Sequence, residues 1–377
     1  MILPSRMKNP APRLFLLILA CLFFCGRTVS AQVRLPSFDE SFRTMKFNAV
    51  GDLHYGIDDY TQYAPAALTL GLKICGYDSR SSWGRMAVSD AFSVAVMTAV
   101  VNGVKYTVRR PRPDGTSDNS FPSGHTATSF MTAAMLHEEY GWRSPWFSFG
   151  GYAIAAATGI SRVINDRHWM SDVIAGAVIG TASVKLGYWL ADLIFKDRYL
   201  NEAWDEPRFG FDISRKYYDI GLYTGYRFFL GMNGKPHLTG GGTSGIEASI
   251  PVSNSDALKG TAGVALRAGV NSCIASDIPS FNTYDCLAGG YWRRPFAGIL
   301  EADTRLLVGY SFVGNRQTSA TAGILDGLAL SAECGLAITT GENFKIKAFA
   351  AYEAVRFTVR KPLVHSIVLG GTASFFW

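Results

Sequence analysis

The chain has 377 residues, 13% of them aromatic and only 18% charged, with 39 glycines and a formal net charge of +6. That length holds about two domains at the usual ~100–200 residues each, and the glycine-rich, charge-poor composition leans toward contact with lipid. Lys and Arg are scattered rather than gathered in a tract, which sets nucleic acid aside; a small cationic excess suits an anionic substrate or membrane surface.

The first residues read as a secretory signal peptide over 1–31. Arg6, Lys8 and Arg13 give a positive start, Leu14 to Cys25 an apolar run, and Val29-Ser30-Ala31 a small-residue cleavage site before Gln32. The apolar run falls short of the ~20 residues of a spanning helix. Of six cysteines, Cys21 and Cys25 leave with this segment, and Cys75, Cys273, Cys286 and Cys334 remain. In an oxidising compartment Cys273 and Cys286, which bracket a polar stretch, are candidates for a disulfide. No C-x-x-C pair or clustered His accompanies them, so a metal site is not expected.

Residues 32–59 read as an N-terminal linker. From 60 to 198 the apolar residues fall in helical blocks: Ala66 to Ile74, Met86 to Val104, Thr126 to Met135, Trp146 to Ile160 and Val173 to Ile194. Charges such as Asp90 and Lys185 interrupt them, so they predict an α-helical bundle rather than a set of membrane spans. Asp90 is read as a polar tie within that bundle. The polar stretch 199–214 is read as a second linker.

After it the period changes to two. Tyr218, Ile220, Leu222, Tyr226 and Phe228 share one face of an extended segment, with Asp219, Gly221, Tyr223, Gly225 and Arg227 on the other. Similar segments follow at about 239–251, 260–271, 285–293, 297–312, 326–338, 343–356 and 365–377. Counting the first, these are about eight strands, joined alternately by shorter turns and longer loops, as in an outer-membrane β-barrel over 215–377. Period two also fits a soluble sandwich. The barrel is favoured because one face is apolar and aromatic while the other mixes small residues with Glu301, Asp303, Arg305, Lys345, Lys347 and Glu353, read as structural filling of a narrow interior. The terminal strand, ending Phe375-Phe376-Trp377, resembles that of outer-membrane barrels. The overall expectation is a multidomain α + β chain: a helical bundle, then an antiparallel barrel.

Three helical-half segments carry candidate chemistry: Lys105-Tyr-Thr-Val-Arg-Arg-Pro-Arg112-Pro113, Phe121-Pro122-Ser123-Gly124-His125, and Ser161-Arg162 followed by His168 and Asp172. Phosphoryl transfer without a metal needs fixed cations and preorganised donors around the transferring oxygens. Lys105, Arg112 and Arg162 supply cations, and Arg grips two oxygens at once. Ser123 and Gly124 offer a hydroxyl and backbone N–H groups, with the positive end of a helix if one opens there. Asp172 follows His168 by one helical turn, so its carboxylate can hold Nδ1–H and free Nε2 to attack phosphorus. His125 can protonate the departing alkoxide and then activate water. Arg109 and Arg110 are read as solvated charge, with contact to a second substrate phosphate as the alternative, and His54, His137, His237 and His365 as surface residues.

Together these residues resemble the type 2 phosphatidate phosphatase superfamily, which also holds class A acid phosphatases and vanadium haloperoxidases, over residues 60 to 195. Its pattern K-x6-R-P, P-S-G-H, S-R-x5-H-x3-D is met at Lys105, Arg112, Pro113, Pro122 to His125, Ser161, Arg162, His168 and Asp172. The resemblance implies His168 as nucleophile, His125 as acid and base, Asp172 as its partner, and Lys105, Ser123, Gly124, Arg112 and Arg162 as the phosphate cradle, with no cofactor. It implies a phosphorylated membrane lipid as substrate, with lipid A, phosphatidylglycerophosphate, phosphatidate and undecaprenyl pyrophosphate all possible. Lipid A is favoured, because the barrel would hold a periplasmic catalytic domain at the outer membrane. A vanadium-dependent haloperoxidase on the same cradle, and a non-enzymatic barrel with a relic phosphatase domain, are the competing readings.

Overall fold

A capping box opens the first helix. Ser37 Oγ accepts from the Glu40 amide at 3.2 Å while Glu40 Oε2 accepts from the Ser37 amide at 2.9 Å, satisfying two otherwise orphaned donors at the head of α1, Phe38–Val50. The expected linker at 32–59 is corrected by this helix and by the short α2, Asp58–Thr61. The computed structural model describes residues 37–204, 217–230, 238–255, 260–275, 279–295, 299–314, 327–339, 343–357 and 363–377. The expected signal peptide, His237 and residues 205–214 of the expected second linker lie outside them. The described residues fall in two compact units, one drawn from Tyr55–Arg162 and Ser171–Trp204, the other from Leu35–His54, Val163–Met170 and Asp205–Trp377.

The first unit is a helical bundle of α2, α3 (Ala64–Ile74), α4 (Trp83–Val108), α5 (Gly124–Tyr140), α6 (Pro145–Ile164) and α7 (Met170–Phe195). Met97 and Val101 of α4, Ala127 and Met131 of α5, and Ile179 and Tyr188 of α7 build its apolar core. Glycine lets α7 approach α5 closely: a β-carbon on Gly180 would lie 2.2 Å from the Ala127 carbonyl, and one on Gly176 would lie 2.6 Å from that of Ser123. At the other end of α5, buried Glu139 accepts from the Ser81 amide at 2.9 Å and from the Tyr188 hydroxyl at 3.0 Å. The same hydroxyl also reaches Asp90 at 3.2 Å, so Asp90 is the polar tie expected of it. α4 and α7 run 26 residues each, long and apolar enough by composition to cross a membrane; half of the most apolar window of α7 is packed inside, against only 17% of that of α4.

In the second unit eight antiparallel strands close into a barrel in sequence order: β1 (Asp219–Phe229), β2 (Leu238–Ser255), β3 (Gly260–Ala275), β4 (Phe281–Pro295), β5 (Leu300–Val313), β6 (Gly327–Thr339), β7 (Phe344–Phe357) and β8 (Leu363–Phe376). β1 closes on β8 with Leu222 opposite Ala373 and Tyr226 opposite Leu369. Burial alternates along each strand, but inside out. Leu306, Leu328 and Leu336 are about 60% exposed, whereas Glu247, Arg293, Asp303, Arg305, Glu333 and Lys347 are sealed within. Arg305 meets Asp303 at 2.8 Å and Glu247 at 3.0 Å, Arg293 meets Asp219 at 2.5 Å and Asp303 at 2.8 Å, and Lys347 meets Glu333 at 2.5 Å. A soluble sandwich would bury its apolar faces, so this polarity is that of a lipid-facing barrel. Tyr218 and Trp377 stack at the end where the chain enters and leaves. α1 seats on the opposite end, beside the starts of β2 and β4: Asn282 donates to the Met45 carbonyl at 2.8 Å, and Phe42 packs over Gly242.

The proposed Cys273–Cys286 disulfide is corrected. Cys273 is buried and stands opposite Phe281, while Cys286 is exposed and stands opposite Ala268. The two thiols point to opposite faces of the sheet, and all four described cysteines are free.

Candidate active site

The cationic segment begins in the last turn of α4. Lys105 Nζ donates to the Asn119 carbonyl at 2.6 Å. Burial, together with the Arg112 and Arg162 guanidiniums, pulls the Lys105 pKa down to about 8, with Asp172 opposing. Lys105 of the first expected segment thus feels Arg112 of the same segment and Arg162 and Asp172 of the third. The chain leaves α4 through Arg109 in the left-handed region, and Arg112 is held by its amide to the Ser117 carbonyl at 2.9 Å.

Ser123, Gly124 and His125 open α5, as expected. Ser123 is its N-cap; its oxygen accepts from the Thr126 amide at 3.4 Å and the Thr126 hydroxyl at 2.9 Å, which leaves its own proton to donate. The Ser123 amide is bonded to the Asp172 carbonyl at 3.0 Å, so the heads of α5 and α7 are tied backbone to backbone. A β-carbon on Gly124 would meet no described atom within 4 Å. Open space therefore borders the head of α5 at Gly124, where the positive end of the helix dipole suits an anion.

His125 Nε2 lies 2.8 Å from Asp59 Oδ1, a residue that no motif singled out. Arg162, in the last turn of α6, is buried with Nη1 ion-paired to Asp58, while its Nε is buried with no hydrogen-bond partner among the described residues. Both aspartates belong to the stretch taken for linker. No sequence spacing relates them to their partners; only the fold does.

Asp172 is fully buried in the first turn of α7. Arg110 Nη1 donates to its Oδ1 at 2.8 Å, and the Ser120 hydroxyl donates to its Oδ2 at 2.5 Å. Arg110 also reaches Ser171 Oγ at 2.7 Å. The reading of Arg110 as solvated charge is thus corrected: it pins a buried carboxylate. His137 is corrected too, being half-buried on α5 with Nδ1 2.7 Å from Ser148 Oγ.

His168 belongs to the second unit, in the bend between α6 and α7, and is buried. Because α7 starts at Met170, His168 and Asp172 are not one turn apart on a helix, and the expected helical spacing is corrected. The bend has its own support. Asp166, in the left-handed region that Asp tolerates, receives Lys46 Nζ of α1 at 2.9 Å and Arg43 Nε at 3.5 Å.

Residues 87–195 match the PAP2 superfamily. The lipid A 1-phosphatase of Porphyromonas gingivalis is 49% identical over 170 residues, 45% of this chain and 38% of that protein. A non-specific acid phosphatase of Salmonella typhi is 30% identical over 125 residues, 29% of this chain and 48% of that protein. The chain thus spans less than half the length of these curated relatives. Among solved structures, Aquifex aeolicus LpxE aligns with 39% of this chain and 91% of its own at 22% identity and a TM-score of 0.30. Neisserial surface protein A aligns with 42% of this chain and 96% of its own at 13% identity and a TM-score of 0.30.

Proposed function

With residues 87–195 a PAP2 superfamily domain, we propose that the chain is a lipid phosphate phosphatase of the bacterial envelope that works through a phosphohistidine on His168. The observation that supports the reading is the backbone tie between the head of α5 and Asp172 through Ser123, together with the influence of Arg112, Arg162 and Asp172 on the charge of Lys105. Cations and helix-end amides stabilise the charge that spreads over the transferring oxygens. In this mechanism the imidazole of His168 forms the N–P bond as the P–O bond to the lipid breaks. His125 protonates the leaving oxygen, then takes a proton from the water that splits the phosphohistidine. Asp172 stays ionised and steadies the charge on His168.

For the substrate we favour lipid A, in line with the name of the Porphyromonas gingivalis relative. The lipid-facing barrel would anchor the enzyme in the outer membrane with its catalytic domain in the periplasm, raising the local concentration of that lipid. The test is phosphate release by the purified protein from lipid A, phosphatidate and phosphatidylglycerophosphate, beside His168→Ala. Loss of release in the variant, and acid-labile radiolabelled phosphate on the wild type, are expected. Release unchanged by the substitution would overturn the mechanism.

A further inference from the structure

The short helix α2 precedes the stretch that matches the superfamily, yet its first two residues meet two side chains of the proposed machinery. Asp59 Oδ1 is 2.8 Å from His125 Nε2, and Asp58 is ion-paired with Arg162, which has Asp59 as a second neighbour at 3.8 Å. The two carboxylates live in different settings. Asp58 is 1% exposed and belongs to the interior, whereas Asp59 is 61% exposed and faces solvent.

Their placement is built into the bundle. Thr61 Oγ1 lies 2.9 Å from Thr158 Oγ1 of α6, and the Gln62 carbonyl accepts from Thr132 Oγ1 of α5 at 3.0 Å. α5 and α6 are the helices that carry His125 and Arg162. One strap, tied to both, therefore sets the carboxylates against both functional side chains.

We propose that Asp59 is the positioning residue for His125: it takes up Nε2–H, so that Nδ1 is the nitrogen that exchanges the proton with the leaving oxygen and then with water. The proposal rests on the phosphatase reading. In the first step the His168 N–P bond forms, the P–O bond breaks and the Nδ1 proton passes to the departing oxygen. In the second, water adds to phosphorus, the N–P bond breaks and the water proton returns to Nδ1. Asp59 keeps its charge throughout, and no proton is transferred to it. Asp58 has the parallel task of fixing Arg162 through Nη1, which leaves the buried Nε–H for a phosphate oxygen.

The charges facing His125 are Asp58 and Asp59 from α2 and Arg162 from α6. Burial, then Arg162, holds the imidazole pKa below its ordinary value, and the two aspartates pull it back up. A general acid works only while protonated. Removing Asp59 lowers the His125 pKa further, so the alkaline limb of kcat/KM moves to lower pH.

The experiment compares wild type, Asp59→Asn, Asp59→Glu and His168→Ala as full chains in detergent, with a short-chain phosphatidate and with para-nitrophenyl phosphate. The alkyl leaving group needs a proton; the nitrophenolate does not. Because kcat/KM reports only the first step, Asp59→Asn is expected to lose about tenfold in kcat/KM on the alkyl phosphate, with its alkaline limb displaced downward, and to lose little kcat/KM on the aryl phosphate. Asp59→Glu restores part of the loss. Equal losses of kcat/KM on both substrates, or a lower KM with an unmoved pH profile, would overturn the proposal, the latter marking Asp59 as a mere competitor for the anion site. His168→Ala that keeps its activity would instead overturn the phosphatase mechanism itself, whatever Asp59→Asn does.

Discussion

Replacing Arg110 by Met should damage catalysis although Arg110 lies outside the motif pattern. Its guanidinium is 28% exposed and donates at 2.8 Å to Asp172, whose carboxylate is fully buried. A hydrogen bond to a charged group in such a setting is worth about 1.5–3 kcal/mol. If Asp172 must be ionised and fixed in place to support an imidazolium, and each 1.36 kcal/mol is about a factor of ten, the loss in kcat/KM is roughly 10- to 100-fold. Nη1 alone makes both bonds, to Asp172 and to Ser171, so Arg110→Lys, which keeps one charged multi-donor nitrogen, should recover much of the loss. Ser120→Ala removes a neutral donor from the other carboxylate oxygen and should cost the low end of that range, about tenfold, near ~1.5 kcal/mol. The assay is initial-rate phosphate release, with folding checked by circular dichroism. An Arg110→Met enzyme within about twofold of wild type, beside an Asp172→Asn enzyme that is inactive, would refute the reasoning, because Asp172 would then hold its state without its ion pair.

Two further outcomes follow from the charges. Lys105, with a pKa drawn down to about 8, is charged below that pH and neutral above it, so KM for an anionic phosphate should climb from about pH 8 upward. Lys105→Arg, which stays protonated, should flatten the climb, and a flat wild-type profile between about pH 7 and 9.5 would remove Lys105 from binding. In the barrel, Arg293→Met strips Asp219 and Asp303 of a shared buried partner and should cost about 3–5 kcal/mol. It would be read as a lower temperature for loss of the fast-migrating folded band on a gel, and an unchanged temperature would contradict the ion-pair account.

The parts of the molecule legible in the sequence are those written in local periodicity. Period two along Tyr218 to Phe228 places the apolar side outside and the polar side inside, and the same alternation repeated predicts an eight-stranded closed sheet. Ser123 at the head of α5 was legible because a Pro-Ser-Gly start is itself the local cause of the helix. Contacts between distant segments were not. Arg110 looks like one of a solvated basic run until the chain reverses through Arg109 and brings it to Asp172. Asp58 and Asp59 carry no periodic signal and sit 66 or more residues from the side chains they touch. α1 did leave a signal, the Ser37-x-x-Glu40 pair, but it falls in a stretch whose apolar residues form no long block. Cys273 and Cys286 bracket a polar loop in sequence, yet the pleat turns their thiols to opposite faces.

The barrel interior bears on what the second unit is for. Arg305 is held by Asp303 and Glu247, Arg267 by Glu247 and Glu333, and Lys347 by Glu247 and Glu333, so cations and carboxylates alternate across the lumen. Each was costly to desolvate and is stable there only because its neighbours share the charge. Opening a path through this lattice would leave several of them buried and uncompensated. A small barrel with such a filling is a rigid peg rather than a conduit, and its apolar outer face is suited to lipid. That division of labour favours an anchored phosphatase over a channel that retains a relic domain.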